Sequence, residues 1–339
     1  MQKGVKMPSN YPTLKDVSAE AGVSMALASV VLNGKKGRIK ASEDTRRKIL
    51  EAAEKLGYEP DRNARALRMS RSFLIGVLAY DVSTSFVPEI LTGIEKGFMH
   101  TNYGVLLGSY CTETELTECL EMFRKLKVDG LIIISTEFKK FPDQLAMWNR
   151  VAKVFVGNLS ELPFSSSVCA SRKDVGIMAA QELLRRNRRC VAHFANERSS
   201  NHDGWQNALD QAGISAEKRL TVYSKNYLDQ GLATARKLLR DHPEVTGIFA
   251  DSDILAAAVV KAAAETGRKI PEELEVIGVD DSMLCQLTTP TLSSIWQPKR
   301  EQGEIAAELM LKLLKDDHTE QRVLPVKLIV RETLKPSGE

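Results

Sequence analysis

The sequence predicts an α/β protein with an all-α head at its N-terminus and a core of two similar subdomains, each a doubly wound parallel sheet. Three observations carry this expectation. Residues 13–57 hold three short helical patterns with cap and stop signals. From Phe73 onward, short apolar runs alternate with helical segments, the rhythm of parallel sheets covered by helices. The charge is also divided: residues 1–72 carry 15 Lys and Arg against 8 Asp and Glu, the remainder 32 against 36. The net +3 therefore hides a basic head on a mildly acidic body, and such a head points to a polyanionic partner.

Taken in order, Thr13 stands as an N-cap before "LKDVSAEA", where Leu14, Val17 and Ala21 share one helical face. Gly22 breaks this helix, and Ser24 starts the next, Met25 to about Leu32. "NGKKGRIK" is a basic loop opened by an Asn-Gly turn signal. Ser42 starts "EDTRRKILEAAEKLG", with acids in its first turn, Ile49, Ala53 and Leu56 inward, and Gly57 at its end. Pro60 sets a boundary before one or two helical turns rich in Ala, Leu and Arg. "FLIGVLAY", "GVLLGSY", "GLIIIS" and "VAKVFVG" then form one set of strands, and "CVAHFAN", "LTVYS", "GIFAD" and "LEVIGVD" a second. Eight such units exceed one small sheet, hence two subdomains.

Several function classes are disfavoured. "MQKGVKMPSN" lacks the apolar stretch of a secretory signal, and the longest apolar runs are too short to span a bilayer, so a cytoplasmic protein without a membrane partner is expected. Five scattered cysteines with no CxxC spacing argue against disulfides or zinc, and buried inert thiols are expected, Cys111 and Cys119 included. No GxGxxG follows a strand, no phosphate-binding P-loop occurs, and neither HExxH nor GxSxG is present. No catalytic centre, metal or cofactor is implied, and the histidines are expected at the surface or at caps.

A helix, a Gly-centred turn and a second helix within about twenty residues make a helix-turn-helix, whose second helix enters the DNA major groove. Ala28, Val31 and Leu32 are expected to pack on the first helix. Ser24, Met25, Ala26, Leu27, Ser29 and Val30 are left nearer the groove, where short apolar groups touch thymine methyls and hydroxyls bond phosphates or bases. Lys35, Lys36, Arg38 and Lys40 would attract the DNA backbone. The alternative is a plain αα-hairpin in a small bundle.

"TLKDVSAEAGVS", "VLNG", "TRRKILEAAEKLGYEPDRNARALR" and "IGVLAYD", followed by "GIFADSDILAAA", "PEELEVIGVDD", "TTPTLSSIWQP" and "LPVKLIVRET", closely resemble the LacI/GalR family of bacterial transcription regulators. The resemblance runs from residue 12 to about 334 and is most specific in its N-terminal block. It implies a DNA-binding headpiece (1–60), a hinge helix and linker (61–72), and a core like type I periplasmic binding proteins, with subdomains 73–168 plus 297–325 and 169–296 plus 326–339. It further implies a small effector between the subdomains, a homodimer, double-stranded operator DNA and, by analogy, repression. Met25 and Ala26 fall on the main variable base-reading positions, and Thr13, Ser29 and Asn33 on DNA-contacting ones. Leu27 replaces the usual Thr and Val30 the usual Arg, so a relative's base preference does not transfer. Leu67 aligns with the hinge leucine that wedges into the minor groove, flanked by Arg62, Arg65 and Arg68, while Asp61 replaces the usual Asn.

In open α/β sheets a ligand sits beyond the C-terminal strand ends, where Asp81, Asn158, Asp253 and Asp280 fall. The resemblance adds Phe86, Asn201, Trp205, Gln297 and Arg172 or its neighbour Ser171. Asp280 and Gln297 match the family well; Asn201 replaces an Arg, Ser252 an Asn, and Ser171-Arg172 stands where Asp-Asn is common. Carboxylates, amides and an aromatic ring suit a sugar or sugar derivative. Each Asp alone is more often a helix cap, and Trp205 alone more often core. The rival is a solute-binding protein of the same core fold, which would carry an export signal and no basic head.

Overall fold

The computed structural model describes residues 12–32, 41–59, 69, 71–84, 86–134, 145, 148–157, 165–196, 199, 201–225 and 227–335. The chain divides into two compact units, Met1–Ser72 and Phe73–Glu339. Asn33, Lys35, Lys36, Lys40, Arg38, Asp61, Arg62, Arg65, Leu67, Arg68 and Asn158 lie outside the described residues.

In the first unit α1 (Leu14–Glu20), α2 (Met25–Leu32) and α3 (Glu43–Leu56) enclose Val17, Ala28, Val31, Ile49, Ala52 and Ala53. Each helix starts where a side-chain oxygen takes up an orphan backbone N–H. Thr13 and Asp16 make a reciprocal capping box. Ser24 Oγ accepts from the Leu27 amide at 3.2 Å, and Ser42 Oγ from the Thr45 amide at 3.2 Å. Gly22 (φ +63°) turns the chain between α1 and α2, a conformation that costs glycine little. An ion pair of 2.5 Å from Lys55 to Glu20 links α3 to α1.

The second unit holds two six-stranded sheets. The first comprises β1 (Leu74–Tyr80), β2 (Gly104–Tyr110), β3 (Gly130–Ile134), β4 (Ala152–Val156), β5 (Ser165–Ala170) and β11 (Gln321–Leu324), in the order β11-β5-β4-β3-β1-β2. The second comprises β6 (Val191–Asn196), β7 (Arg219–Ser224), β8 (Gly247–Ala250), β9 (Glu275–Asp280), β10 (Ser293–Trp296) and β12 (Lys327–Ile329), in the order β12-β10-β9-β8-β6-β7. Pairing is parallel throughout except for β12 on β10. The central strands β3, β8 and β9 are buried along their whole length, as helices on both faces require.

Four of these strands escape the apolar-run pattern. β5 is rich in serine yet wholly buried, because its polar groups have partners: the Glu320 amide donates to Ser166 Oγ at 3.0 Å, and the Ser167 amide to the Glu320 carbonyl at 3.0 Å. β10, β11 and β12 are only three or four residues long, too short for a period to show.

The chain crosses between the sheets after β5, after β10 and between β11 and β12. After β10 it enters α11 (Lys299–Asp316), whose Ala306, Leu309 and Met310 join the core of the first sheet. α11 lies against α4 (Val87–Phe98) so closely that a Cβ on Gly93 would collide with the Arg300 carbonyl, and one on Gly303 with that of Ile90. The second half repeats the device. α6 (Arg172–Arg185) and α7 (His202–Gln211) meet at Gly176 and Gly204, where added Cβ atoms would strike the Asn201 and Lys173 carbonyls. Two sequence expectations are corrected. Cys111 is exposed and Cys119 half-buried, since both stand at the open edge beyond β2. His193 is completely buried inside β6, where Asp251 supplies the partner that burial demands.

Candidate functional site

On the head, Ser24, Met25 and Ala26 are exposed at the start of α2, with Met25 50% accessible, while Ser29 and Val30 are half-buried. Leu27 is also half-buried and packs against the head core together with Leu32, so it is a wall of that core as well as a face of the helix. Thr13 Oγ1 donates to Asp16 at 2.7 Å, which makes the residue a cap. Among the described basic residues of the head, Arg47 and Lys48 are held by Asp44 and Lys55 by Glu20, whereas Lys15 and Arg46 pair with no described acid. The helix thus presents small and apolar groups, and the charge lies on its neighbours.

In the core, the strand ends of the first sheet are mostly aromatic. Tyr80 and Tyr110 stack edge-on at 5.6 Å. Asp81, at φ +42°, folds back on its own turn, accepting from the Ser83 amide at 3.0 Å and the Ser83 hydroxyl at 2.5 Å. Phe86 stands just before α4, and its ring carries the Arg172 guanidinium 5.5 Å from the centroid. That cation–π contact reaches from one half of the core to the other.

The strand ends of the second sheet are ionic. Asp253, at the start of α9 (Asp253–Thr266), is buried and accepts from Ser294 Oγ at 2.5 Å and the Ser282 amide at 2.6 Å. It reaches them because β9 has Gly278 at the crossing, where a Cβ would lie 2.5 Å from Asp253 Oδ1. Burial, and then the charge of Asp280, push the Asp253 carboxyl up to about 6. Asp280 has φ +107°, rare for any side-chain-bearing residue, and accepts from Gln297 Nε2 at 3.1 Å. Lys299, on the first turn of α11, is buried with Nζ 2.7 Å from Glu89. Burial opposes its charge, but Asp280, Glu89 and Asp253 outweigh that and raise its pKa.

A second cluster surrounds Asp251. Its carboxylate accepts from the Asn196 amide at 2.8 Å and Asn201 Nδ2 at 2.9 Å, and lies 2.9 Å from His193 Nε2. Burial works against ionisation here, but His193 and the surrounding donors hold the carboxyl below its usual range. His193 Nδ1 faces His202 Nδ1 at 3.3 Å, and the His193 ring stacks on Phe249 at 4.8 Å. Trp205 is 0% exposed and stacks on Phe249 at 5.4 Å, so its faces are taken by the protein's own rings.

Among the described residues, four of the buried polar atoms of this region, Gln297 Oε1, Asn201 Oδ1, Trp205 Nε1 and Arg172 Nε, have no hydrogen-bond partner. Buried polar groups are ordinarily satisfied, so these four are open to bonding from outside the chain. His193 and Lys299 were not among the residues the sequence singled out, and Asp251 stood out only with Asp253, Asp280 and Asp281 as a conceivable catalytic carboxylate group, a reading set aside for want of catalytic motifs. A histidine inside an apolar strand run and a lysine on a helix's first turn, where the dipole disfavours it, were the available signals.

Residues 13–61 match the bacterial regulatory proteins of the lacI family, and residues 180–334 match the periplasmic binding protein-like domain. The chain is 30% identical over 333 residues to the ribose operon repressor of Halalkalibacterium halodurans, covering 95% of this chain and 97% of that one. The chain belongs to the LacI family of bacterial regulatory proteins. Among solved structures, the transcriptional regulator CelR in complex with cellobiose is 26% identical, with a TM-score of 0.72 over 95% of this chain and 99% of the other. The lac repressor dimer bound to operator and the anti-inducer ONPF, 23% identical, has the same fold, with a TM-score of 0.85 over 96% of this chain and all of that one. No helix among the described residues of this LacI-family chain is long and apolar enough to cross a membrane.

Proposed function

We propose that this LacI-family protein is a cytoplasmic, sequence-specific DNA-binding transcriptional repressor, not an enzyme, controlled by a sugar or sugar derivative bound at the strand ends of the core. The observation that carries the effector site is the cluster of four unpartnered buried polar atoms beside Asp280 and Asp251. The head supplies the DNA contacts: Ser24, Met25 and Ala26 meet base edges, Ser29 and Val30 flank them, and Lys35, Lys36 and Arg38 meet phosphates. Arg62, Arg65 and Leu67 belong to the hinge in this assignment, and Asn158 joins Asp81 and Phe86 on the first half's side of the effector. In this assignment the core halves are residues 73–168 with 297–325 and residues 169–296 with 326–339. The repressor acts as a homodimer, which covers exposed apolar residues such as Leu107 and Tyr223 on the edge strands β2 and β7.

A ligand at these strand ends changes DNA affinity only by preferring one arrangement of the two halves over another. The contact of Arg172 with Phe86, which joins the two halves, is the feature such a ligand would strengthen or release. The test is DNA binding by the full chain and by residues 73–339. The full chain should shift genomic fragments bearing a pseudo-palindrome, with affinity falling steeply as salt rises. The shortened chain should stay folded and ignore the same fragments. Retained operator binding by residues 73–339 would overturn the assignment of the head.

A further inference from the structure

We propose that the effector is a sugar acid, a polyol bearing a single carboxylate, and that Arg172 is the residue that selects the acid over its neutral parent. The inference rests on the sugar-effector reading and adds the charge class to it. Each carboxylate of the cluster already has protein donors: Asp253 has Ser294 and Ser282, Asp251 has His193, Asn201 and Asn196, and Asp280 has Gln297. Lys299 is matched by Glu89, and Arg331 by Asp281 at 2.7 Å. Arg172 forms no ion pair with any described residue; its guanidinium lies over the Phe86 ring, and its Nε is buried without an acceptor. Asp280 and Asp251 both support its charge, yet burial outweighs them and lowers its pKa. Its guanidinium feels these carboxylates at a distance but has no bonded anion among the described residues.

The other unpartnered atoms complete the ligand's description. A carboxylate only accepts, so Gln297 must turn its NH₂ to Asp280 and Asn201 its NH₂ to Asp251. Both amide oxygens are thereby left without a donor among the described residues, and they require hydroxyl donors. Trp205 Nε1 and Arg172 Nε require acceptors. Hydroxyls and one anionic acceptor on a single molecule are the chemistry of a uronate or an aldonate. A phosphate ester would also offer oxygens to the guanidinium, but its second negative charge would face Asp280 and Asp251 with no cation left to match it.

The test is isothermal titration of the full chain with matched sets: glucose, glucuronate, gluconate and glucose 6-phosphate, and the corresponding galactose and mannose series. At least one carboxylate should bind about 10- to 100-fold more tightly than its neutral parent, the range expected for a charge-assisted guanidinium bond. Arg172→Gln should remove that preference, bringing the ratio of acid to neutral-parent affinity close to one. Arg172→Lys, which keeps the charge and tests for a folding defect, should restore part of it. A phosphate that outbinds every carboxylate, a neutral sugar that equals its acid, or an Arg172→Gln protein that keeps the acid preference would each overturn the proposal and spare the sugar reading. If no sugar of either kind binds, the sugar reading falls and this proposal falls with it.

Discussion

At its strand ends the first sheet offers Tyr80, Tyr110 and Phe86, with Asp81 turned back on Ser83, whereas the second offers Asp251, Asp253 and Asp280 braced by His193, Asn201, Ser294 and Gln297. The two sheets have the same number of strands, the same crossover logic and the same glycine-lined helix crossing. Duplicated topology therefore does not duplicate chemistry. The backbone repeats, while the side chains at the strand ends make one half ionic and the other aromatic.

The helix crossings common to both halves depend on their glycines. Gly93→Ala and Gly204→Ala each drive a methyl into a carbonyl oxygen of a neighbouring helix, which cannot yield as a side chain can. Each should lower unfolding stability by about 2–4 kcal/mol in urea titrations, despite alanine's better helix propensity. A markedly smaller loss at one of them would mean that the two halves are not held together by the same device.

The unequal part is sharpened by pH. Asp253 titrates at about 6, above its unfolded value, so its contribution to stability is complete below pH 4 and is lost as pH rises through 6. Asp280→Asn removes the like charge that is the second cause of this shift, and should make the fall in melting temperature between pH 5 and 7 shallower. Asn also tolerates the positive φ at this position. Asp81→Asn, at the matching strand end of the other sheet, should leave the slope as it is.

The smallest expected effect lies at His202. Burial, and then His193, lower its pKa, so the stability tied to its neutral form is present above pH 6.5 and fades as pH falls below it. His202→Gln should therefore lessen the acid-side loss by about a degree in melting temperature. An unchanged acid limb would remove His202 from the account.

Much of this architecture was legible because it obeys simple periods. Val17, Ala28 and Ile49 fall on the inner faces of capped helices, and the runs at β1, β3 and β9 are apolar because both their faces are covered. β5 was not legible, since its buried serines are satisfied by Glu320, more than 150 residues away in sequence. The same distance in sequence hides the site. Asp280 and Gln297 were visible at strand ends, but that Asp253 is spent on Ser294 and Ser282 depends on Gly278 making room across the strand. His193 looked like a surface histidine because its partner, Asp251, comes 58 residues later.

We propose that the buried polar strand ends of the second half bind the ligand. The direct measurement is the ligand-induced rise in melting temperature of the full chain, compared with Asp280→Gly, which removes the carboxylate and relaxes the backbone at φ +107°. With the best-binding sugar at about 100-fold above Kd, the unmodified protein should gain about 5–8 °C. Asp280→Gly should gain nothing, while Asp81→Ala keeps most of the rise. A full rise in Asp280→Gly, with its loss in Asp81→Ala, would place the ligand on the other half and contradict the account.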